Sequence, residues 1–385
     1  MKSRFDPSIP LSWEPRTGVV TALAILLVAC SGGREDQDGP SVDTEAKVLN
    51  VYNWADYIGE STIADFEAKT GIKVTYDIYD SSEVLETKLL TAHSGYDVVV
   101  PTGSRAPRLI GAGALQKLDK SKLKNLSNLD PEIIRLATAY DSGNQYGLPY
   151  AWGTTGLGYN PDMVEKVLGT RTLDTWAAVF DPAIASKLAK CGITMLDAPE
   201  TIFELAFIYL GVDANSERAE DRAAAEALMT RIRPYVRYFH SSQYVNDLAS
   251  GEVCVSVGWT FGVMQARWRG EEAETPVEVV YVLPKEGAPV YVDLIAIPVD
   301  APHPGNAHAF VDYIMQPEVI ASITNEVGQP NANAASLPFV AAALRNDPAV
   351  YPPKEVFERL SLEKDWSPEA VREATRAWTR IRTGH

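Results

Sequence analysis

The 385-residue chain is poor in the signatures of catalysis. It has no GxxxxGK(S/T) phosphate loop, no HExxH helix and no GxSxG elbow, and Gly111–Gln116 (GAGALQ) is not GxGxxG. Catalytic groups that meet only in three dimensions would escape such a scan, but no nucleophile–base pair is visible and an enzyme is not expected. Histidine is scarce. His93, His240, His303, His308 and His385 form no convincing ligand pair, and Cys191 and Cys254 lack metal-ligand spacing, so neither metal nor cofactor is expected. Basic charge is also in deficit: 35 Lys+Arg stand against 51 Asp+Glu, a net −16 that argues against a nucleic-acid partner. There is no internal repeat. What is present is ordinary for a globular protein, 46% apolar and 22% charged residues, in a length that holds two domains or one large α/β domain.

The first residues read as a targeting segment rather than as fold. Val19–Val28 (VVTALAILLV) is apolar but too short to span a bilayer, and Lys2, Arg4 and Arg16 precede it. Leu27-Val28-Ala29-Cys30 then resembles the lipobox of bacterial lipoproteins, in which the cut falls before a cysteine that becomes lipidated. The alternative is a secretory signal cut elsewhere, with Cys30 incidental. The expectation is a signal peptide over 1–29, lipidation at Cys30 and a polar, flexible tether over 30–46. Cys191 and Cys254 then remain as an even pair, open to a disulfide or to two buried thiols.

Beyond the tether, strand and helix alternate. Lys47–Tyr52, Ile72–Tyr79 and Tyr96–Pro101 read as strands, and Ser61–Thr70 and a segment capped by Asp80 or Ser81 read as helices. That order predicts a parallel sheet with right-handed crossovers. Tyr146–Tyr159 reads as a strand-like crossing segment, Val253–Trp259 and Val290–Pro298 as further strands, and Ser216–Arg233, Gln243–Ser250, Pro304–Met315 and Pro317–Glu326 as helices. In open parallel sheets, ligands bind beyond the carboxyl ends of the strands. The mouths are therefore Asn53–Tyr57, Asp80–Ser82 and Thr102–Arg105.

The first mouth, in VYNWADYIGES, places Trp54, Asp56 and Tyr57 together; later strands add Trp259, Tyr291 and Asp293. Ring faces attract cations, by about 0.5–2 kcal/mol each. An acid inside VYVDLIAIP needs a partner if buried. The set suits an ammonium better than a neutral or anionic ligand, although any one of these aromatics alone would more simply be core.

From about Leu49 to its end the chain resembles the bacterial periplasmic putrescine- and spermidine-binding proteins of polyamine ABC importers, nearest the putrescine type. The resemblance is carried by VYNWADYI, FEAKTGIKV, YDVVVPTGS, LPYAWGTTGLGYN, CGITMLDAPE, RYFHSSQYVNDLASGEVCVSVGW and Tyr351–Pro353. It implies the two-lobed α/β periplasmic binding protein fold (type II), with the cleft between lobes joined by crossing strands and closed by hinge motion. The expected division is 47–150 with about 275–327 in the first lobe, and about 151–274 with 328–385 in the second. It implies a Cys191–Cys254 disulfide. It also implies a site of Trp54, Asp56, Tyr57, Thr102, Ser104, Trp259, Tyr291 and Asp293, with Thr201 and Gln329 at positions where the putrescine-type pattern has Glu and Tyr. Gly262 stands where that pattern has Asp, which removes a counter-charge and is expected to open space. Asp197 and Glu200 lie near enough in sequence to substitute, and Arg105 either adds a positive charge near the rim or points to water. The implied partners are a polyamine, putrescine first, and the permease of an ABC importer. The implied protein is a periplasmic monomer held to a membrane through its lipid alone. A singly charged or amino-acid-like amine, or a ligand-sensing role, is the alternative.

Overall fold

A computed structural model of the chain describes residues 45–91 and 93–383; the expected signal segment, Cys30 and nearly all of the tether lie outside them. The run VLNVYNW forms strand β1 (Val48–Trp54), flanked in parallel by β2 (Lys73–Tyr79) and β3 (Val98–Val99). Helix α1 (Thr62–Thr70) links the first pair, burying Phe66 against Phe310 at 5.1 Å and ending at Gly71, whose φ of 71° few other residues adopt. Helix α2 (Ser82–Leu90) follows β2, its first turn capped by the Ser81 hydroxyl. The predicted β-α-β-α-β unit is present.

Strand β3 is shorter than YDVVVP suggests. The Asp97 carboxylate accepts from the Asn50 and His303 amides at 2.8 and 2.6 Å, and the Val100 carbonyl accepts from the Trp54 indole and the Tyr79 hydroxyl. Side chains take the polar groups that a longer ladder would have used.

The crossing segment is β4 (Gly147–Tyr159), a strand of 13 residues buried throughout. Beyond it lie β5 (Ile193–Met195), β6 (Val236–Phe239), β7 (Val255–Trp259), β8 (Val280–Val282), β9 (Ala288–Ala296) and β10 (Leu360–Leu362). The sheet order is β2-β1-β3-β9-β4-β7-β5-β6, with β8 on β4 and β10 on β9. The first half of β4 pairs antiparallel with β9, from Gly147↔Ala296 to Thr154↔Val290; its second half pairs with β7, from Thr155↔Trp259 to Tyr159↔Val255.

One chain segment thus serves two apolar cores. The first gathers Val51, Phe66, Val98, Val292 and Phe310; the second gathers Trp176, Met195, Phe203, Phe207 and Trp366. Cys191 and Cys254 form the implied disulfide just ahead of β5 and β7, with Cα atoms 5.4 Å apart. The histidines beside the prolines are structural: His303 Nδ1 lies 3.1 Å from Asp97, and His308 Nε2 accepts from the Asp119 amide. No group of three or more potential metal ligands occurs among the described residues.

Candidate functional site

The end of β1 builds one wall. Asp56 adopts left-handed backbone, φ 58°, which short polar side chains tolerate. The turn leaves Asp56 exposed and returns Tyr57 to the interior at 5% exposure, where the Tyr150 hydroxyl donates to the Tyr57 carbonyl. Trp54 is fixed by its indole N–H on the Val100 carbonyl at 3.0 Å. Its ring lies 6.3 Å from that of Tyr57, which meets Phe261 edge-on at 5.5 Å; Phe261 in turn stacks on Trp259 at 6.1 Å. The aromatic wall therefore runs from the end of β1 to the end of β7. Phe261 was not singled out from the sequence, where it is one more aromatic after GW.

The acid at the foot of this wall is Asp293, 3% exposed within β9. The Tyr57 hydroxyl donates to Asp293 Oδ2 at 2.8 Å, and Thr102 bridges Asp293 through the backbone. Burial pushes the Asp293 carboxyl up to about 7, while Tyr57 and Thr102 pull it back. Among the described residues no arginine or lysine neutralises it. Tyr291, two residues earlier, is on the same face of the strand. Its hydroxyl is buried without a hydrogen-bond partner, and its ring fits because position 153 on β4 is glycine: a Cβ there would overlap the Tyr291 hydroxyl. The Gln329 amide lies beside the Tyr57 hydroxyl, 3% exposed, with neither polar atom partnered. Buried polar atoms left unpaired cost about 1–3 kcal/mol each, which a ligand could recover.

Trp54, Tyr57, Thr102, Tyr291, Asp293 and Gln329 are thus brought together, with Trp259 reached through Phe261. Asp56 is exposed, and its charge acts on Tyr76 of β2. Ser104 is buried and Thr201 half-buried, and neither side chain makes a hydrogen bond among the described residues.

Three expectations need correction. Gly262 does not open space, because the buried Tyr244 hydroxyl sits where a Cβ at 262 would be. Glu200 and Asp197 are not free to substitute for the missing acids. Both Glu200 oxygens accept from Arg105 Nη2, at 3.0 and 2.9 Å; Asp197 accepts from the Trp378 indole and pairs with Arg382 at 2.8 Å. Arg105 is no rim charge. It is largely buried, and besides Glu200 it lies 3.6 Å from Glu86 and 3.4 Å from Asp365, while Arg108 pairs with Asp365 at 2.8 Å. Sequence reasoning misses two acids, the buried Glu204 and the half-buried Glu363. Glu204 left a signal in the sequence, a lone carboxylate inside IFELAFIYL; Glu363, in SLEKDW, left none.

Comparison with known proteins identifies the family. The profile of the bacterial extracellular solute-binding protein family matches residues 61–352. The chain is 47% identical to the putrescine-binding periplasmic protein SpuD of Pseudomonas aeruginosa (strain UCBPP-PA14) over 90% of this chain and 95% of that protein. It is 46% identical to the putrescine-binding periplasmic protein PotF of Escherichia coli (strain K12), over 88% of this chain and 92% of that one. Among solved structures, the TpPotD lipoprotein of Treponema pallidum superposes with a TM-score of 0.74 at 26% identity, covering 87% of this chain and 99% of that one.

Proposed function

The chain belongs to the bacterial extracellular solute-binding proteins, and from that premise we propose that it captures a polyamine, putrescine first, and delivers it to the permease of an ABC importer. The observation that carries the reading is Asp293: a buried carboxylate held by Tyr57, beside an aromatic wall, with no cation among the described residues to neutralise it. A buried unpaired charge is costly, and an arriving ammonium removes the cost while the rings add cation–π attraction. Relatives named for putrescine binding support the same ligand class.

In this reading Trp54, Tyr57, Thr102, Tyr291, Asp293 and Gln329 form the wall that meets the ammonium, and Asp56, Ser104, Thr201 and Trp259 line the approach. The two cores act as lobes that close on the ligand, with β4 as the crossing strand. The protein works as a periplasmic monomer anchored through lipidated Cys30, and it binds its ligand without converting it. A singly charged amine is the rival, favoured by Thr201 and Gly262 standing where the putrescine-type pattern has acids. Calorimetric titration decides between them, using protein stripped of carried-over ligand and a panel of putrescine, cadaverine, agmatine, spermidine and γ-aminobutyrate. Micromolar or tighter putrescine binding is the expected result. A response to γ-aminobutyrate alone would overturn the polyamine reading.

A further inference from the structure

Polyamines carry charge at both ends, and Asp293 accounts for one. Two carboxylates not used so far are Glu204, which is buried, and Glu363, which is half-buried with its Oε1 enclosed. Glu204, 3% exposed on the helix Pro199–Leu210, has an Oε2 with no hydrogen-bond partner; beside it Phe203 and Phe207 pack on Trp366 at 6.5 and 6.1 Å. Glu363 follows β10, which runs parallel to β9 with Leu362 opposite Val290. Its amide donates to the Val290 carbonyl at 3.0 Å and its carbonyl accepts from the Tyr140 hydroxyl at 2.7 Å, which pins it next to Tyr291. Glu363 Oε1 is buried without a partner, and so is the Tyr291 hydroxyl, on a residue 5% exposed. The nearby cations are spent elsewhere. Arg105 holds Glu200 and lies against Glu86, and Arg108 holds Asp365.

We propose that Glu363 and Glu204, with the Tyr291 hydroxyl, form the second ammonium site of the pocket, taking over the counter-charge that the putrescine-type pattern carries at the positions of Thr201 and Gly262. The proposal rests on the polyamine reading above and says where the far end of the diamine lies. The electrostatics of the cluster agree with the placement. Burial raises Glu363 to about 8, with the charge of Asp293 the first neighbour to act on it, then Glu200; Arg105 opposes them. Burial also raises Glu204 well above its ordinary range, with Glu363 the first neighbouring charge, then Glu200. Like charges brought close resist ionising together, and an ammonium arriving among them favours the charged carboxylate.

The test is calorimetric titration of the full chain, stripped of ligand, at pH 8, with putrescine and with n-butylamine, which has the same carbon chain and one ammonium. Glu363→Gln and Glu204→Gln are compared with the unmodified protein. The expected result is a fall of tenfold or more in the putrescine-to-butylamine affinity ratio for each variant. Both unliganded variants are expected to melt no lower than the unmodified protein, because each substitution removes a carboxylate with one enclosed, unpartnered oxygen. Unmodified protein that binds putrescine, with a ratio changed less than twofold in both variants, would overturn the second site and leave the polyamine reading standing. A lowered melting temperature with an unchanged ratio would make these acids structural and equally overturn the site. If the unmodified protein binds no diamine, the polyamine reading fails first and the second site with it.

Discussion

The acids around Asp293 and those around Arg105 solve the same electrostatic problem in opposite ways. At the Arg105 end the carboxylates of Glu83, Glu86, Glu200 and Asp365 lie against two guanidiniums supplied by the chain itself, so each acid there has a protein cation beside it. At the other end Asp293 is given hydrogen-bond donors and rings but, among the described residues, no cation. A bidentate Arg–carboxylate pair fixes geometry and presents nothing to a ligand. An uncompensated acid is poised to bind. The distinction between structural and receptive charge therefore lies in whether a guanidinium is already present, and substitutions can shift either side of it.

The largest effect is expected at Asp293. Asp293→Asn keeps the shape and removes the receptive charge, so putrescine affinity should fall at least about 100-fold, roughly 2.7 kcal/mol. The unliganded protein should not suffer. A carboxyl raised from 3.8 to about 7 holds its proton more tightly folded than unfolded. Its cost is absent below the unfolded value and grows as pH rises toward 7, beyond which it is complete. Melting of the Asn variant at pH 8 should match or exceed that of the unmodified protein. A clear loss of melting temperature would place Asp293 on the structural side of the comparison.

Restoring the acid missing at 262 should fail instructively. Gly262→Asp drives a side chain into the Tyr244 hydroxyl. Such overpacking costs about 1–3 kcal/mol. The variant should melt several degrees lower, with no gain in putrescine affinity, and adding Tyr244→Phe, which removes the clashing hydroxyl and keeps the ring, should recover part of the melting temperature. If Gly262→Asp alone tightened putrescine binding without destabilising the protein, the Tyr244 ring would have to move aside readily.

Acid should weaken binding in a defined window. Bound ammonium requires ionised Asp293, so below about 7 the free protein must release a proton to bind. Affinity should decline as pH falls through 7 and approach a tenfold loss per unit below about 6, from this group alone. Titration at pH 7 in buffers of different ionisation enthalpy should register protons leaving on binding. Flat affinity from pH 8 to 5.5 would mean that Asp293 is already ionised in the free protein.

How far the sequence foretold this site depends on which residues carried local information. The alternating strands and helices of 47–101 were legible because apolar periodicity and caps such as Ser81 and Gly71 are local. Asp293 was legible because an acid in VYVDLIAIP conflicts with its surroundings. Glu363 was not, because SLEKDW is polar and only pairing of β10 with β9, across more than sixty residues, encloses its Oε1. The fate of Glu200 was illegible for the same reason: its partner Arg105 is 95 positions away. Gly262 misled because an absent side chain reads as empty space, whereas a ring from the helix Gln243–Ala249 fills it.

Asp56 should show the smallest effect, and it tests whether sequence proximity or burial decides a role. It shares a five-residue stretch with Trp54 and Tyr57, yet its side chain is in water. At 4 Å in bulk water two unit charges interact by about 1 kcal/mol, and salt reduces that further. Asp56→Asn should therefore weaken putrescine binding by no more than about fivefold, and 0.5 M salt should erase most of the difference. A loss comparable to that of Asp293→Asn would show that Asp56 becomes desolvated when ligand binds. That outcome would require the turn at its left-handed backbone to fold inward on the ligand, a movement that a fluorescence change at the neighbouring Trp54 would report.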